Sequence, residues 1–258
     1  MSKKYEITDI THPNRPNLRR IRALRDIPTV GVKAGDLGGW VGGEHNLDHD
    51  GNAWVHGEAR VSGNAWVHGE AQVSGNAWVF GSAEVFDSAR VFDSAEVFGR
   101  ARVSGNAWVF GSAEVFDSAR VFDSAEVFGR ARVFGRARVF DSAIVHGEAR
   151  VFGNAWVHGE ARVFDSARVF DSAIVQSSED IMYSMVLASE QYGATLHRTT
   201  DGHLLKVGCW RGTVPEFRTM IESDEWVEAT PDQIELRRPE LLAFTAMCEA
   251  RVATWEQP

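Results

Sequence analysis

From Val55 to Val175 a valine falls at every sixth residue, twenty-one in unbroken register, and an alanine stands two places before each, from Ala53 to Ala173. An extended chain alternates sides, so each Ala and the Val after it share a face. The residue between them, Trp, Arg, Glu, Gln or Ile, points the other way. Two places after the valine, the first twenty hexads carry only Gly or Asp. Gly accepts a positive φ without cost, and Asp tolerates it or bonds its neighbours, so this is a corner. Every corner Asp is followed by Ser, as at Asp87–Ser88 and Asp141–Ser142, which suggests a side-chain-bonded turn. Each hexad then predicts a short strand A-x-V and a turn, with nothing larger than Val inside. That describes a narrow solenoid of parallel strands.

Outside the repeat the pattern changes. Upstream, GDLGGWVGGEHNLDHDGNAWV keeps the period at Val41 and Leu47 and slips by two residues before Val55. Downstream, residues 194–209 read as a hairpin around Asp201–Gly202. Thr213-x-x-Glu216 and Thr230-Pro231-x-Gln233 are helix-start signatures. Leu241, Phe244, Cys248, Val252 and Trp255 follow one face of a terminal helix. The expected division is an N-terminal cap at 1–52, the repeat at 53–175, and a small α+β domain at 176–258 that covers the open end.

The A-x-V hexads resemble the hexapeptide-repeat family. Its usual motif has an aliphatic residue and a small residue four places on, although its Gly commonly follows the aliphatic residue directly. The resemblance implies an all-β fold, a single-stranded left-handed parallel β-helix with three hexads per coil, hence about seven coils here. The opening KYEIT with the slipped segment is similar to YdcK-like hexapeptide-repeat proteins of enterobacteria and their phages, which are labelled transferases. VGCWRGTVPEFRTMI resembles C-terminal segments of phage-encoded hexapeptide proteins.

The words of the repeat are copied literally. Residues 73–102 and 103–132 are identical over thirty positions, which is five hexads. With three hexads per coil, the copy is turned by two faces relative to its parent. A Val and Ala core tolerates that rotation, whereas a flat binding array would be scrambled.

The position after each valine holds thirteen of the fifteen Phe residues. Stacking at eighteen residues places Phe80, Phe98, Phe116, Phe134, Phe152 and Phe170 along one edge. Such an edge either covers corner backbone or forms an oligomer or partner interface. The same stacking sets Arg102, Arg120 and Arg138 in one column. Like charges at strand spacing repel unless acids intervene or an anion binds.

The chain of 258 residues carries a net charge of −9, placed as +1 over 1–52, −3 over 53–175 and −7 over 176–258. No segment has the basic surplus that phosphate binding would leave, so nucleic acid is a poor default partner. The repeat contains no Thr and little net charge, which suits neither ice binding nor DNA mimicry. Two cysteines, Cys209 and Cys248, fit a reducing cytosol. The absence of an apolar leader or span predicts a soluble protein of the bacterial host cytoplasm with no membrane partner.

Catalytic chemistry is thin. The hexapeptide resemblance implies, for an acyltransferase, a His base between subunits and a loop interrupting the coils. No loop interrupts 53–175, and His56, His68, His146 and His158 all sit inside one repeated word, VHGEA, as corner variants. His45 and His49 lack an evident third metal ligand. His197 and His203 read as exposed residues flanking a turn, and Cys209 as a buried thiol. The expectation is a non-catalytic phage-type accessory protein without metal or cofactor. It would oligomerise or bind a bacterial host protein, an inhibitor of a host factor being one form. An acyltransferase with an inter-subunit site is the alternative.

Overall fold

The computed structural model describes residues 3–186, 192–223 and 230–256. The chain divides into two compact units, Met1–Asp171 and Ser172–Pro258.

The first unit is a parallel β-solenoid. Strands β1 (Tyr5–His12) and β2 (Arg15–Ala23) form an antiparallel hairpin, and β2 also pairs antiparallel with β3 (Leu37–Val41). From β4 (Trp54–Val55) to β24 (Ile174–Val175), each hexad contributes one two-residue strand. Residues eighteen apart pair in register, as Arg90 with Trp108, Glu96 with Glu114 and Arg102 with Arg120. Three hexads therefore make one coil, and three parallel sheets make the walls. Along one wall β3, β5, β8, β11, β14, β17, β20 and β23 stack as eight strands, one more than seven coils would supply.

The extra coil comes from the slipped segment. Val41 pairs with Val61, Leu47 with Val67 and Val55 with Val73, so residues 37–55 already form the first coil. The two surplus residues lengthen a single corner between Leu47 and Val55 without breaking the stacking. The cap at 1–52 thus narrows to the hairpin and its connection. By pairing antiparallel with β3, β2 also covers an edge that would otherwise be open to another chain.

All twenty-one Val and all twenty-one Ala of the array are buried. Backbone N–H groups bond coil to coil, for example Arg90 N to Ala107 O at 2.9 Å and Phe92 N to Val109 O at 3.0 Å. Every corner Gly from 57 to 159 has positive φ, and the seven corner Asp residues lie at φ 54–58° or 59°. The Asp side chain does bond, but to the next coil. Asp141 Oδ2 accepts from Gly159 N at 3.0 Å, and Asp87 and Asp93 accept from Gly105 and Gly111 N at 3.1 Å. The carboxylate thereby satisfies a corner N–H that the strand ladder leaves over. Asp141→Ala should cost about 1–2 kcal/mol, because Ala tolerates the left-handed region less well than Asp and one bond is lost, while Asp141→Asn should cost less. Chemical denaturation distinguishes them; equal midpoints for Ala and wild type would refute the assignment.

The second unit is α+β. Strands β25 (Ile181–Val186), β26 (Tyr192–Thr199), β27 (Gly202–Val207) and β28 (Trp210–Gly212) form an antiparallel sheet in that order. Thr199 pairs with Gly202, so the hairpin turns on Thr200–Asp201, one residue before the expected pair, and Gly202 takes φ 125° as the next strand begins. Both helix-start signatures are capping boxes, of α1 (Val214–Glu222) at Thr213 and Glu216 and of α2 (Pro231–Trp255) at Thr230 and Gln233. Leu241, Phe244 and Cys248 of α2 are buried with Phe217, Ile221, Leu196 and Leu205, while Val252 and Trp255 pack against that cluster half-buried. Arg218 of α1 holds Glu249 of α2 with two bonds of 2.6 and 2.7 Å.

Candidate functional site

The residues after each valine form three aromatic ladders, one per corner of the coil. Phe80, Phe98, Phe116, Phe134 and Phe152 stack nearly parallel with centroids 4.8 to 5.0 Å apart, and Phe170 follows at 5.5 Å. The six rings chosen from the sequence therefore stand in one unbroken column. From Phe80 to Phe152 they are half-buried, because each covers the faces of its neighbours and leaves only edges outward; Phe170 is 4% exposed. A second ladder runs Phe92, Phe110, Phe128, His146, Phe164. The third contains His68 on Phe86, then Phe122, Phe140 and His158.

The Arg column also forms. Arg102, Arg120 and Arg138 pair as neighbours on one wall. Arg102 Nε meets Glu84 Oε2 at 3.0 Å, and the Arg138 guanidinium lies 5.0 Å from the Trp156 ring centroid. Among the described residues, no acid pairs with Arg120. The column is flanked by Trp156, 40% exposed, beside Arg138, and by Glu84 and then Trp66, 41% exposed, beyond Arg102.

Two segments of this array match a known family model. Residues 71–85 and 131–147 match the YdcK beta-solenoid repeat. Those two segments are similar to that repeat. No curated protein matches the chain.

Within the solenoid the histidines of VHGEA take ring positions. His68, His146 and His158 stack on Phe86, Phe128 and Phe140 at 4.8 to 5.1 Å. The signal was present in the chain, since each His occupies the letter where its neighbours have Phe. Burial lowers the pKa of His56 and His68, so both favour the neutral ring. His49 serves the first coil instead. Its Nδ1 accepts from Lys4 N at 3.2 Å, and its ring stacks on Tyr5 at 4.3 Å. His45 Nε2 meets Gly63 O at 2.7 Å. Among the described residues, no three His, Cys, Asp or Glu side chains are grouped to hold a metal ion. No helix among them is long and apolar enough to cross a membrane.

Three readings of the second unit are corrected. His197 is fully buried and not exposed, because it belongs to the inner side of β26. His203 is half-buried. Its Nε2 accepts from Val214 N at 3.0 Å, which ties it to the start of α1, and burial lowers its pKa. His197 faces Leu204 and His203 faces Arg198, so the two imidazoles are not cross-strand partners. Cys209 is exposed in the β27–β28 turn; the buried thiol is Cys248, whose pKa burial pushes up to about 12.

Proposed function

We propose that this YdcK-type solenoid is a binding scaffold and not an enzyme, and that it meets a second copy of itself through the Phe80–Phe152 edge. The observation that carries this reading is the ladder itself. Five rings repeat at 4.8 to 5.0 Å on a rigid backbone and present a continuous apolar strip of ring edges. Contiguous apolar strips of this length are typical of interfaces. The coils between Val55 and Val169 have corners of constant length, so no inserted loop stands in the way of a flat approach. A polypeptide of this kind suits an accessory protein acting through contact.

The test uses a substitution that the ladders already accept. His replaces Phe at 68, 146 and 158 with stacking retained. Phe98→His with Phe134→His should therefore keep the fold and break the apolar strip. Light scattering should give a mass above one chain for wild type, falling to one chain in the double variant. A wild type that is monomeric across the accessible concentration range would overturn the reading.

A further inference from the structure

The third aromatic ladder has a gap. Rings occupy positions 68, 86, 122, 140 and 158, but position 104 is Ser. Phe86 and Phe122 are therefore separated by two ladder steps. The missing ring leaves an opening of about 160 Å³ lined by Phe86, Arg102, Ser104, Arg120 and Phe122. A cavity of about 150 Å³ is enough to take a benzene-sized molecule.

The charged residues that line the opening have one sign. Arg102 and Arg120 are strand neighbours and both line it. Arg102 is partly neutralised by Glu84, and its guanidinium lies 4.9 Å from the centroid of Phe86. Like charges at strand spacing disfavour each other, and an anion between them relieves the repulsion. The parent of this hexad shows that the arrangement is particular. Ser74 interrupts the second ladder in the same way, between His56 and Phe92, but the residue before its valine is Gln72, where Arg102 precedes Val103. Gln72 pairs with Arg90, whereas Arg102 pairs with Arg120, so that one difference puts two guanidinium groups beside the ring gap at Ser104.

We propose that this opening is a binding site for a small planar aromatic anion. Its ring takes the vacant rung between Phe86 and Phe122, and its carboxylate or phosphate meets Arg102 and Arg120. Each part of the site selects one property. The spacing set by the coils selects a flat ring, the arginines select negative charge, and Ser104 offers a hydroxyl where a ring would otherwise stand.

Calorimetry on the full chain, with benzoate and phenyl phosphate as probes, tests this. One aromatic anion per chain should bind. Cyclohexanecarboxylate, which has the charge without planarity, and inorganic phosphate, which has no ring, should bind at least about tenfold more weakly. Arg120→Gln should weaken the aromatic anions about tenfold. Ser104→Phe should abolish binding and, by completing the ladder, raise the melting temperature. The proposal fails if neither aromatic anion saturates, if cyclohexanecarboxylate or phosphate binds as well, or if binding survives unchanged in Ser104→Phe. Should that variant not fold, unaltered affinity in Arg120→Gln overturns the proposal by itself.

Discussion

Val115→Asp should unfold the middle of the solenoid, at a cost of about 4 kcal/mol or more. Val115 is completely buried on a wall whose inward residues are only Val and Ala. No Arg, Lys or backbone donor is free inside to meet a carboxylate, because the N–H groups are spent on the coil above, as Phe116 N is on Val133 O at 3.0 Å. A buried charge without a partner is among the few single changes of this size. In a linear repeat each coil touches only its neighbours, so the damage should be local and open the array there. Limited proteolysis should give new cleavage between about 100 and 130, followed by loss of the whole array at lower denaturant. The next residue provides the contrast. Glu114→Gln removes a surface ion pair to Arg132 at 3.0 Å, with both side chains more than a third exposed, and should change stability by less than about 1 kcal/mol. Resistance of Val115→Asp to protease equal to wild type would show that the interior is not the closed core described.

Stability of the first coil should rise as pH increases from 8 towards 10. The cause is Lys4. Its side chain is fully buried, with Nζ donating to Ala53 O at 2.8 Å and to Asp50 O at 3.4 Å across the lengthened corner. Burial lowers its pKa from 10.5 to about 8, against the opposing pull of Asp48, Glu70 and Asp50 and assisted by Arg25. Below pH 8 both folded and unfolded chains hold the proton, and the folded chain bears the full desolvation cost. Between the two pKa values the unfolded chain binds more protons, so raising the pH favours the fold, by on the order of 2–3 kcal/mol across the window. Tyr5 works in the opposite sense at higher pH, since burial raises its phenol above the usual range. Buried Cys248 does the same from about pH 9 in the second unit, which makes a difference measurement necessary. Urea melts of wild type and Lys4→Met should diverge in slope against pH between 8 and 10, with the variant flatter. Parallel slopes would remove Lys4 as the source.

The same thirty letters at 73–102 and 103–132 show where reading the chain stops being enough. Trp78 and Trp108 are the same letter of the copied word, yet Trp78 donates from Nε1 to Ser62 Oγ at 3.1 Å and lies under Arg15 at 4.0 Å. Trp108, on another wall, is 37% exposed, with Arg90 at 5.4 Å. Glu84 pairs with Arg102, and its copy Glu114 pairs with Arg132. That pair was copied together, so each copied letter keeps its direction, inward or outward, and its partners inside the block, and changes those outside it. The Phe column was legible because a period of eighteen follows from three hexads per coil. The role of histidine as a rung was only half legible, since stacking depends on ring planes that sequence does not carry.

Local chemistry in the chain alone determined the strand and corner phase, the buried Val and Ala faces and both helix starts, because each depends on residues within about six positions. The tertiary structure decided everything that joins residues distant along the chain. It placed Lys4 and Tyr5 across the lengthened corner, the latter with its hydroxyl on Leu47 O at 2.8 Å. It aimed Asp carboxylates at the coil above, made residues 37–55 a full first coil, buried His197 and exposed Cys209. It also put the gap at Ser104 beside two arginines, because three hexads close each coil and so set every eighteenth residue side by side.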